Sequence, residues 1–166
     1  YVRNANTQGV ADHFFYFGNP DDVPFAGDFN GNGMDSISVF RPDTNQFFII
    51  NALGEDGGGL GAAEYDFTFG NPGDMPLSGD WDGDGVDTIG LYDPVTAVFH
   101  LRNSNSAGFA NIGVAYGPPG AGWIPVVGDW NGDGIDTVGL FRPDTARFYL
   151  RNSNTSGFAE IGVDYG

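Results

Sequence analysis

The chain has 166 residues, 40% of them hydrophobic and 15% aromatic, which is enough apolar material for a packed core and argues against disorder. Its 22 acidic residues against 6 basic ones give a net charge of −16, which argues against nucleic acids and anionic membranes as partners because both require basic surfaces. There is no cysteine, so disulfide bonds are excluded, and no apolar run is long enough for membrane insertion.

The beginning of the chain matches its end. YVRNANTQG at 1–9 is similar to YLRNSNTSG at 149–157, and HFFYFG at 13–18 takes the position of GVDYG at 162–166. We therefore expect residues 1–18 to be the second half of a repeat. Three complete copies follow, with a period of about 50 residues, and they span 19–70, 71–117 and 118–166.

Each copy is predicted to form four short strands, as its last occurrence illustrates. An apolar run at 124–129 precedes a Gly-rich loop, TVGLFR at 137–142 follows it, and Pro143 begins a turn. The segments 147–152 and 160–166 complete the set. No segment has a helical period, so the predicted fold class is all-β, and four antiparallel strands per repeat indicate β-propeller blades. An insertion at 52–66 of the first copy is interpreted as a flexible surface loop.

One segment recurs in every copy: GDFNGNGMDS at 27–36, GDWDGDGVDT at 79–88 and GDWNGDGIDT at 128–137. We number each loop from its first Asp, so that metal loop 1 begins at Asp28, metal loop 2 at Asp80 and metal loop 3 at Asp129. Oxygen-bearing side chains at positions 1, 3 and 5, a Gly at position 6 and a backbone carbonyl at position 7 have the spacing that surrounds Ca²⁺. The predicted ligands of up to three calcium ions are Asp28, Asn30, Asn32 and Met34 in loop 1; Asp80, Asp82, Asp84 and Val86 in loop 2; and Asp129, Asn131, Asp133 and Ile135 in loop 3.

The sequence leaves the closing ligand of each loop open. Position 8 is always Asp, whereas position 9 is Ser36, Thr88 or Thr137, and either the carboxylate or the hydroxyl (or a water) could complete the site. The carboxylate could instead cap the next strand or meet an Arg of a neighbouring copy. Counting positions 1, 3, 5 and 8, loop 2 has the most carboxylates and loop 1 the fewest, so affinity is predicted to fall in the order 2, 3, 1. The position-8 candidates are Asp35, Asp87 and Asp136.

The copies resemble the FG-GAP and VCBS-type repeats, which also form the calcium-bearing blades of integrin alpha-chain propellers. The resemblance depends on FG or YG at 17–18, 69–70, 116–117 and 165–166, on the loop motif, and on the apolar strand after each loop. It implies a β-propeller fold with calcium in the hairpin between the first two strands of a blade.

No catalytic constellation is recognisable, and we expect a protein that is not an enzyme. His13 and His100 stand where other copies have different residues, and the acidic pairs recur with the metal loops. Repeated Arg residues before Asn, such as Arg102 and Arg151, are expected to pair with an Asp of an adjacent loop or blade. Trp123, in the divergent segment 118–125, is either an exposed aromatic residue for ligand stacking or a contact between blades.

The sequence therefore predicts a calcium-stabilised module, secreted or on the cell surface, for binding or adhesion to a protein or glycan. The alternatives are an accessory propeller domain of a secreted enzyme and a β-propeller lectin. Three and a half blades do not easily close a ring. We therefore expect a homo-oligomer, with two chains closing one ring as one arrangement, or a part of a longer propeller.

Overall fold

The computed structural model describes residues 1–54 and 57–165. Its strands form three sheets of four antiparallel strands each, in the orders β1-β2-β3-β4, β5-β6-β7-β8 and β9-β10-β11-β12. We refer to them as sheets 1, 2 and 3. The strands are β1 (Val23–Gly27), β2 (Ser36–Arg41), β3 (Gln46–Ile49), β4 (Tyr65–Thr68), β5 (Met75–Gly79), β6 (Thr88–Asp93), β7 (Val98–Leu101), β8 (Ile112–Ala115), β9 (Ile124–Gly128), β10 (Thr137–Arg142), β11 (Arg147–Leu150) and β12 (Ile161–Asp164).

The all-β prediction is confirmed, and each copy forms one four-stranded sheet. The first strands of the sheets are neighbours, because β1 contacts β5 and β5 contacts β9. Within the described part of the chain, the three sheets do not close into a ring. No helix long and apolar enough to cross a membrane occurs among the residues that the structure describes.

The core consists of two apolar layers, one between each pair of adjacent sheets. In both layers the second strand of one sheet contributes two aliphatic side chains that pack on the aromatic-rich face of the preceding sheet. The first interface, between sheets 1 and 2, is formed by Phe29, Phe40, Phe47, Ile49, Phe69, Ile89 and Leu91. The second interface, between sheets 2 and 3, is formed by Leu77, Trp81, Tyr92, Ala97, Phe99, Leu101, Val114, Tyr116, Val138 and Leu140.

The glycines of two of the FG and YG pairs, Gly70 and Gly117, lie against the second strand of the next sheet. Gly70 has φ +91°, and a Cβ atom there would lie 2.0 Å from Cδ1 of Leu91 on the next sheet. Gly117, with φ +95°, has the same relation to Leu140 at 2.3 Å. These positions require glycine both for the left-handed backbone and for the close approach. The aromatic partners, Phe69 and Tyr116, are buried in the two interfaces.

Residues 1–18 form no regular strand, but an antiparallel bridge joins Val2 to His13. The insertion of the first copy continues this segment. Tyr16 N donates to Gly58 O at 3.0 Å, and Leu60 N donates to Tyr16 O at 3.1 Å. The insertion at 52–66 therefore pairs with the N-terminal segment and then enters β4 at Tyr65. Residues 55 and 56, which belong to the predicted flexible loop, lie outside the described residues.

Candidate metal loops and an aromatic cleft

Each metal loop connects the first two strands of its sheet, so a rigid hairpin holds both of its ends. In loop 2 the Asp80 carboxylate turns inward. Its Oδ1 accepts hydrogen bonds from Gly83 N at 2.7 Å and Asp84 N at 3.1 Å, and its Oδ2 accepts one from Gly85 N at 2.8 Å. Gly85 has φ +86°, which glycine adopts without strain. The loop backbone thus folds around the position-1 carboxylate.

Loops 1 and 3 repeat this geometry. Asp28 accepts from Asn32 N at 3.0 Å and from Gly33 N at 2.6 Å. Asp129 accepts from the amides at positions 4, 5 and 6, at distances between 2.7 and 3.1 Å. The pKa of the Asp129 carboxyl lies below its ordinary value, and the hydrogen bond from the Gly134 amide is the largest cause. The position-1 side chain is therefore held by the backbone amides of its own loop in all three copies.

The position-5 side chain of each loop accepts a hydrogen bond that closes a second, smaller turn. Its Oδ1 accepts a hydrogen bond from the position-7 amide, at 2.8 Å from Met34, 2.9 Å from Val86 and 2.9 Å from Ile135. In loop 2 the carboxylate oxygens of Asp80, Asp82 and Asp84 lie within 4.8 Å of one another and could hold a metal ion. The donors in this loop are all oxygen atoms, which suit a hard divalent cation. In loop 3 the Asn131 amide donates to Asp133 Oδ2 at 2.9 Å instead.

The position-8 carboxylates face the preceding loop. Asp87 Oδ2 accepts from Asp28 N at 2.8 Å, while Asp87 N donates to Asp28 O at 2.9 Å. Asp136 and Asp80 form the same reciprocal pair, at 3.0 and 2.8 Å. Burial raises the pKa of Asp87 to about 6 and also raises that of Asp136. These two aspartates join consecutive loops. Among the described residues they form no ion pair with an Arg, and Asp35 makes no hydrogen bond there.

The position-9 hydroxyls also bind backbone. Thr88 Oγ1 donates to Arg102 O at 2.7 Å, and Thr137 Oγ1 donates to Arg151 O at 2.7 Å. Both threonines are buried, so each loop is fastened to the end of the third strand of its own sheet. Ser36 lies at the same position in sheet 1, where its hydroxyl is 3.4 Å from Gly27 O.

The arginines before Asn have a different role from the predicted one. Arg102 donates to Phe109 O and, at 2.9 and 3.0 Å, to the hydroxyls of Ser104 and Ser106 in its own loop. Arg151 does the same in sheet 3 with Phe158 O and the hydroxyls of its loop, and adds a 3.5 Å contact to Glu160. The expected pairing with an Asp of an adjacent copy was wrong. Carbonyl and hydroxyl groups of the arginine's own loop surround the guanidinium and accept its hydrogen bonds.

A second contact to the metal loops was missed by the sequence reasoning. Asn105 Nδ2 donates to Asp87 O at 3.0 Å, and Asn154 Nδ2 donates to Asp136 O at 2.8 Å. The recurring R-N-S-N pattern at 102–105 and 151–154 was the available signal. It shows that the loop after the third strand is built to support the metal loop of the same sheet.

Trp123 lies at the junction of sheets 2 and 3. It is half-buried, stacks on Tyr149 with ring centroids 4.8 Å apart, and has the Arg142 guanidinium 5.8 Å from its ring. In sheets 1 and 2 the corresponding residue is Asp22 or Asp74, which caps the preceding turn. Trp123, Tyr149, Tyr116, Pro119 and Phe158 line a cleft of about 490 Å³. We call this the aromatic cleft.

Comparisons of the chain with protein-family models, with curated proteins and with solved structures found no match.

Proposed function

We propose that the protein is a calcium-stabilised, non-catalytic repeat module that binds a protein or glycan outside the cell. The observation that carries the proposal is the shared loop geometry. Three hairpins hold the position-1 carboxylate against their own amides, and in loop 2 three carboxylates converge within 4.8 Å. Plain Asx turns would explain one such loop, but they do not require oxygen-bearing side chains at positions 1, 3 and 5 in all three.

Bound calcium would supply positive charge to a chain that carries a net charge of −16. The loops are stacked, since Val86 Cγ2 lies 3.1 Å from the Cβ position of Gly31, and Ile135 Cγ1 lies 3.1 Å from that of Gly83. Repulsion between neighbouring loops therefore opposes folding in the absence of a cation. The ions would act as structural elements that hold consecutive sheets at a fixed distance.

Calcium is favoured over magnesium because it accepts six to eight oxygen ligands in flexible geometry, whereas magnesium retains its waters. We expect dissociation constants on the order of 10⁻⁴–10⁻³ M, as in extracellular modules. Such affinities match a secreted or cell-surface location. Loop 2 binds most tightly because it has the largest carboxylate count.

The sheet arrangement supports the proposal of a propeller of the FG-GAP and VCBS type. The first strands β1, β5 and β9 are neighbours, and the FG or YG glycine allows each sheet to approach the next. Sheet 3 offers a face like those already covered. Val163 is 43% exposed where Val114 is 0% exposed, and Tyr165 is 77% exposed where Tyr116 is 5% exposed. A further repeat, from a second copy or from a longer array, would bury this face.

The aromatic cleft is the proposed ligand site of the module. Its stacked pair, Trp123 and Tyr149, combines flat apolar surface with the nearby Arg142, a combination that suits a glycan and favours the lectin alternative. An accessory domain of a secreted enzyme would use the same surface to hold its substrate. Replacing Trp123 with Ala should abolish glycan binding measured on an array, whereas the calcium response should remain.

Titration calorimetry with Ca²⁺ and Mg²⁺ tests the metal proposal. We expect up to three calcium sites, with the tightest lost in Asp80→Asn because this change removes one of the three converging charges. Asp43→Asn is the matched control, since Asp43 is exposed in a turn outside the loops. Equal heats for the two variants, or no calcium heat in the unmodified protein, would contradict the assignment of the loops as metal sites.

A further inference from the structure

The N-terminal segment has the internal structure of the second half of a repeat. Val2 and His13 exchange hydrogen bonds at 2.9 and 3.0 Å, and Asp12 N donates to Val2 O at 2.9 Å. In sheet 3, Leu150 pairs with Ile161, and Glu160 N donates to Leu150 O at 2.9 Å. We call residues 1–18 the half-repeat.

The loop of the half-repeat repeats the same details. Arg3 donates to Val10 O at 3.2 Å and to Thr7 Oγ1 at 2.7 Å, as Arg102 and Arg151 do to their loops. Asn4 N donates to Asp12 Oδ2 at 2.8 Å, and the equivalent Asn103 N donates to Asn111 Oδ1 at 3.0 Å. The half-repeat therefore reproduces the loop that connects a third and a fourth strand, and the bridge between Val2 and His13 stands where the two strands would pair.

One edge of the half-repeat is unpaired. In sheets 2 and 3 the third strand pairs with the second strand, and the amide after it continues the ladder, as in Arg102 N to Ile89 O at 3.0 Å and Arg151 N to Val138 O at 3.2 Å. The backbone of Arg3, at the same position, makes no hydrogen bond with any of the residues 1–54 and 57–165. An unpaired edge of this kind is a template for an added strand.

Metal loop 1 has a free side next to this edge. Asp87 and Asp136 each accept the position-1 amide of the preceding loop, whereas the equivalent Asp35 has no partner among the described residues. Val86 and Ile135 pack on a position-4 glycine of the preceding loop, whereas the equivalent Met34 is 69% exposed. A cavity of about 810 Å³, lined by Val2, Arg3, His13, Asn32, Met34 and Asp35, separates the half-repeat from loop 1.

We propose that the unpaired edge of the half-repeat, together with the free side of loop 1, is a docking site for a β-hairpin with a G-D-x-x-G loop. Its second strand pairs with residues 1–3, its position-1 amide donates to Asp35, and its position-4 glycine receives the Met34 side chain. This interface continues the one that already joins loops 1, 2 and 3. The proposal does not depend on calcium or on the aromatic cleft.

A second copy of the chain is a poor occupant. Each of its own hairpins, β1–β2, β5–β6 and β9–β10, is already paired with a third strand. Two copies would also present two half-repeats of the same kind, which lack the same strands. The occupant is therefore an additional hairpin of the repeat type. This argues against the closure of one ring by two chains through this edge.

The test is to extend the full chain with such a hairpin. A second copy of residues 118–148 is placed directly before Tyr1, since Tyr149 is the residue that corresponds to Tyr1. Limited trypsin digestion then compares the rate of cleavage after the added copy of Arg147 with the rate after the original Arg147. If the hairpin docks, both sites are cleaved slowly, and the added site is cleaved about tenfold or more slowly than in a protein whose added segment is scrambled. Rapid cleavage at the added site, with Arg147 protected, would overturn the proposal.

The Asp35→Ala substitution in both proteins, measured in excess chelator so that calcium binding plays no part, provides the second measurement. The proposal expects it to lower the melting temperature of the extended protein and to change that of the original protein little. An equal loss in both would show that Asp35 acts within its own loop and would contradict its role in docking. A loss in the original protein that grows with protein concentration would show that a second copy occupies the site.

Discussion

Gly70 illustrates how one residue determines the distance between two sheets. Its left-handed backbone and the 2.0 Å separation between its Cβ position and Leu91 Cδ1 both exclude a side chain. Gly73 has a similar φ, +94°, but apart from its two chain neighbours no described residue has an atom within 4 Å of its Cβ position. A comparison of substitutions at these two glycines therefore distinguishes the effect of backbone strain from that of close packing.

We predict that Gly70→Ala destabilises the protein more than Gly73→Ala does. Both variants pay about 1 kcal/mol for the left-handed conformation, and Gly70→Ala adds about 1–3 kcal/mol for overpacking of the first interface. Chemical denaturation of both variants checks the difference. Equal losses of unfolding free energy would show that the two sheets can move apart to accommodate a side chain, which would contradict close packing at Gly70.

Asp22 makes the best-formed ion pair of the first repeat. Its Oδ1 and Oδ2 each accept from Arg41 at 2.9 Å, and the Asp22 side chain is only 4% exposed. The pKa of the Asp22 carboxyl is lowered, and the hydrogen bond from the Arg41 guanidinium is the largest cause. The carboxylate form is therefore the one that the fold favours.

We predict a pH-dependent effect of Asp22→Asn on the free energy of unfolding. Because the folded pKa lies below the unfolded value of about 3.9, the advantage of the unmodified protein is complete above that value. It is lost as the pH falls through the lower, folded pKa. Urea denaturation between pH 7 and pH 2 measures this difference, with Asp43→Asn as the control. A difference that stays constant down to pH 2 would contradict the role of the ion pair.

At the scale of elements, Asp87 is the link between loops 1 and 2. Its carboxylate accepts the Asp28 amide at 2.8 Å, although burial raises its pKa to about 6. The hydrogen bond thus stabilises the junction, while the buried charge opposes it. Substitutions that keep the acceptor but remove the charge separate these two effects.

For the calcium-free protein at neutral pH, we predict opposite outcomes for two substitutions. Asp87→Ala leaves the Asp28 amide unsatisfied and costs about 1–3 kcal/mol. Asp87→Asn retains an acceptor oxygen without the charge, so its stability equals or exceeds that of the unmodified protein. Thermal unfolding in chelator compares the two. A similar loss in both would mean that the charge itself holds the loops together.

The elements themselves were largely predictable from the sequence. The segments 124–129, 137–142, 147–152 and 160–166 contain β9 to β12, because short β-branched and aromatic runs between Gly-rich turns specify strands locally. The pairing of the insertion with Tyr16 was not predictable, since a Gly-rich segment has no period that indicates a partner. The role of Arg102 was missed for a related reason: its acceptors are backbone carbonyl groups and serine hydroxyls of its own loop, and only the folded loop brings them around the guanidinium.

The candidate site was predictable in type but not in its connections. The 1-3-5 spacing of oxygen atoms identified the loops, and the structure brings together Asp80, Asp82 and Asp84 as that spacing implies. The position-8 carboxylates could not be placed, because their partners lie in another repeat, 59 residues away for Asp28 and Asp87. Only the packing of one sheet on the next determines this contact.

At the scale of the whole molecule, the three sheets form a row in which every junction combines an apolar layer with two stacked acidic loops. The apolar layers hold the sheets together, and the charge of −16 acts against them. A cation in the loops would remove this conflict. For each occupied site, calcium at 100 times its dissociation constant contributes about 2.7 kcal/mol to stability.

Differential scanning calorimetry with and without calcium tests this account most directly. The melting temperature in 10 mM calcium, a concentration of at least about 10 dissociation constants for the expected sites, is compared with that in excess chelator. We predict a clear rise that continues with calcium concentration, that magnesium does not reproduce, and that is reduced in Asp80→Asn but not in Asp43→Asn. A melting temperature that does not respond to calcium or chelator would show that the loops are ordinary turns and would contradict the account.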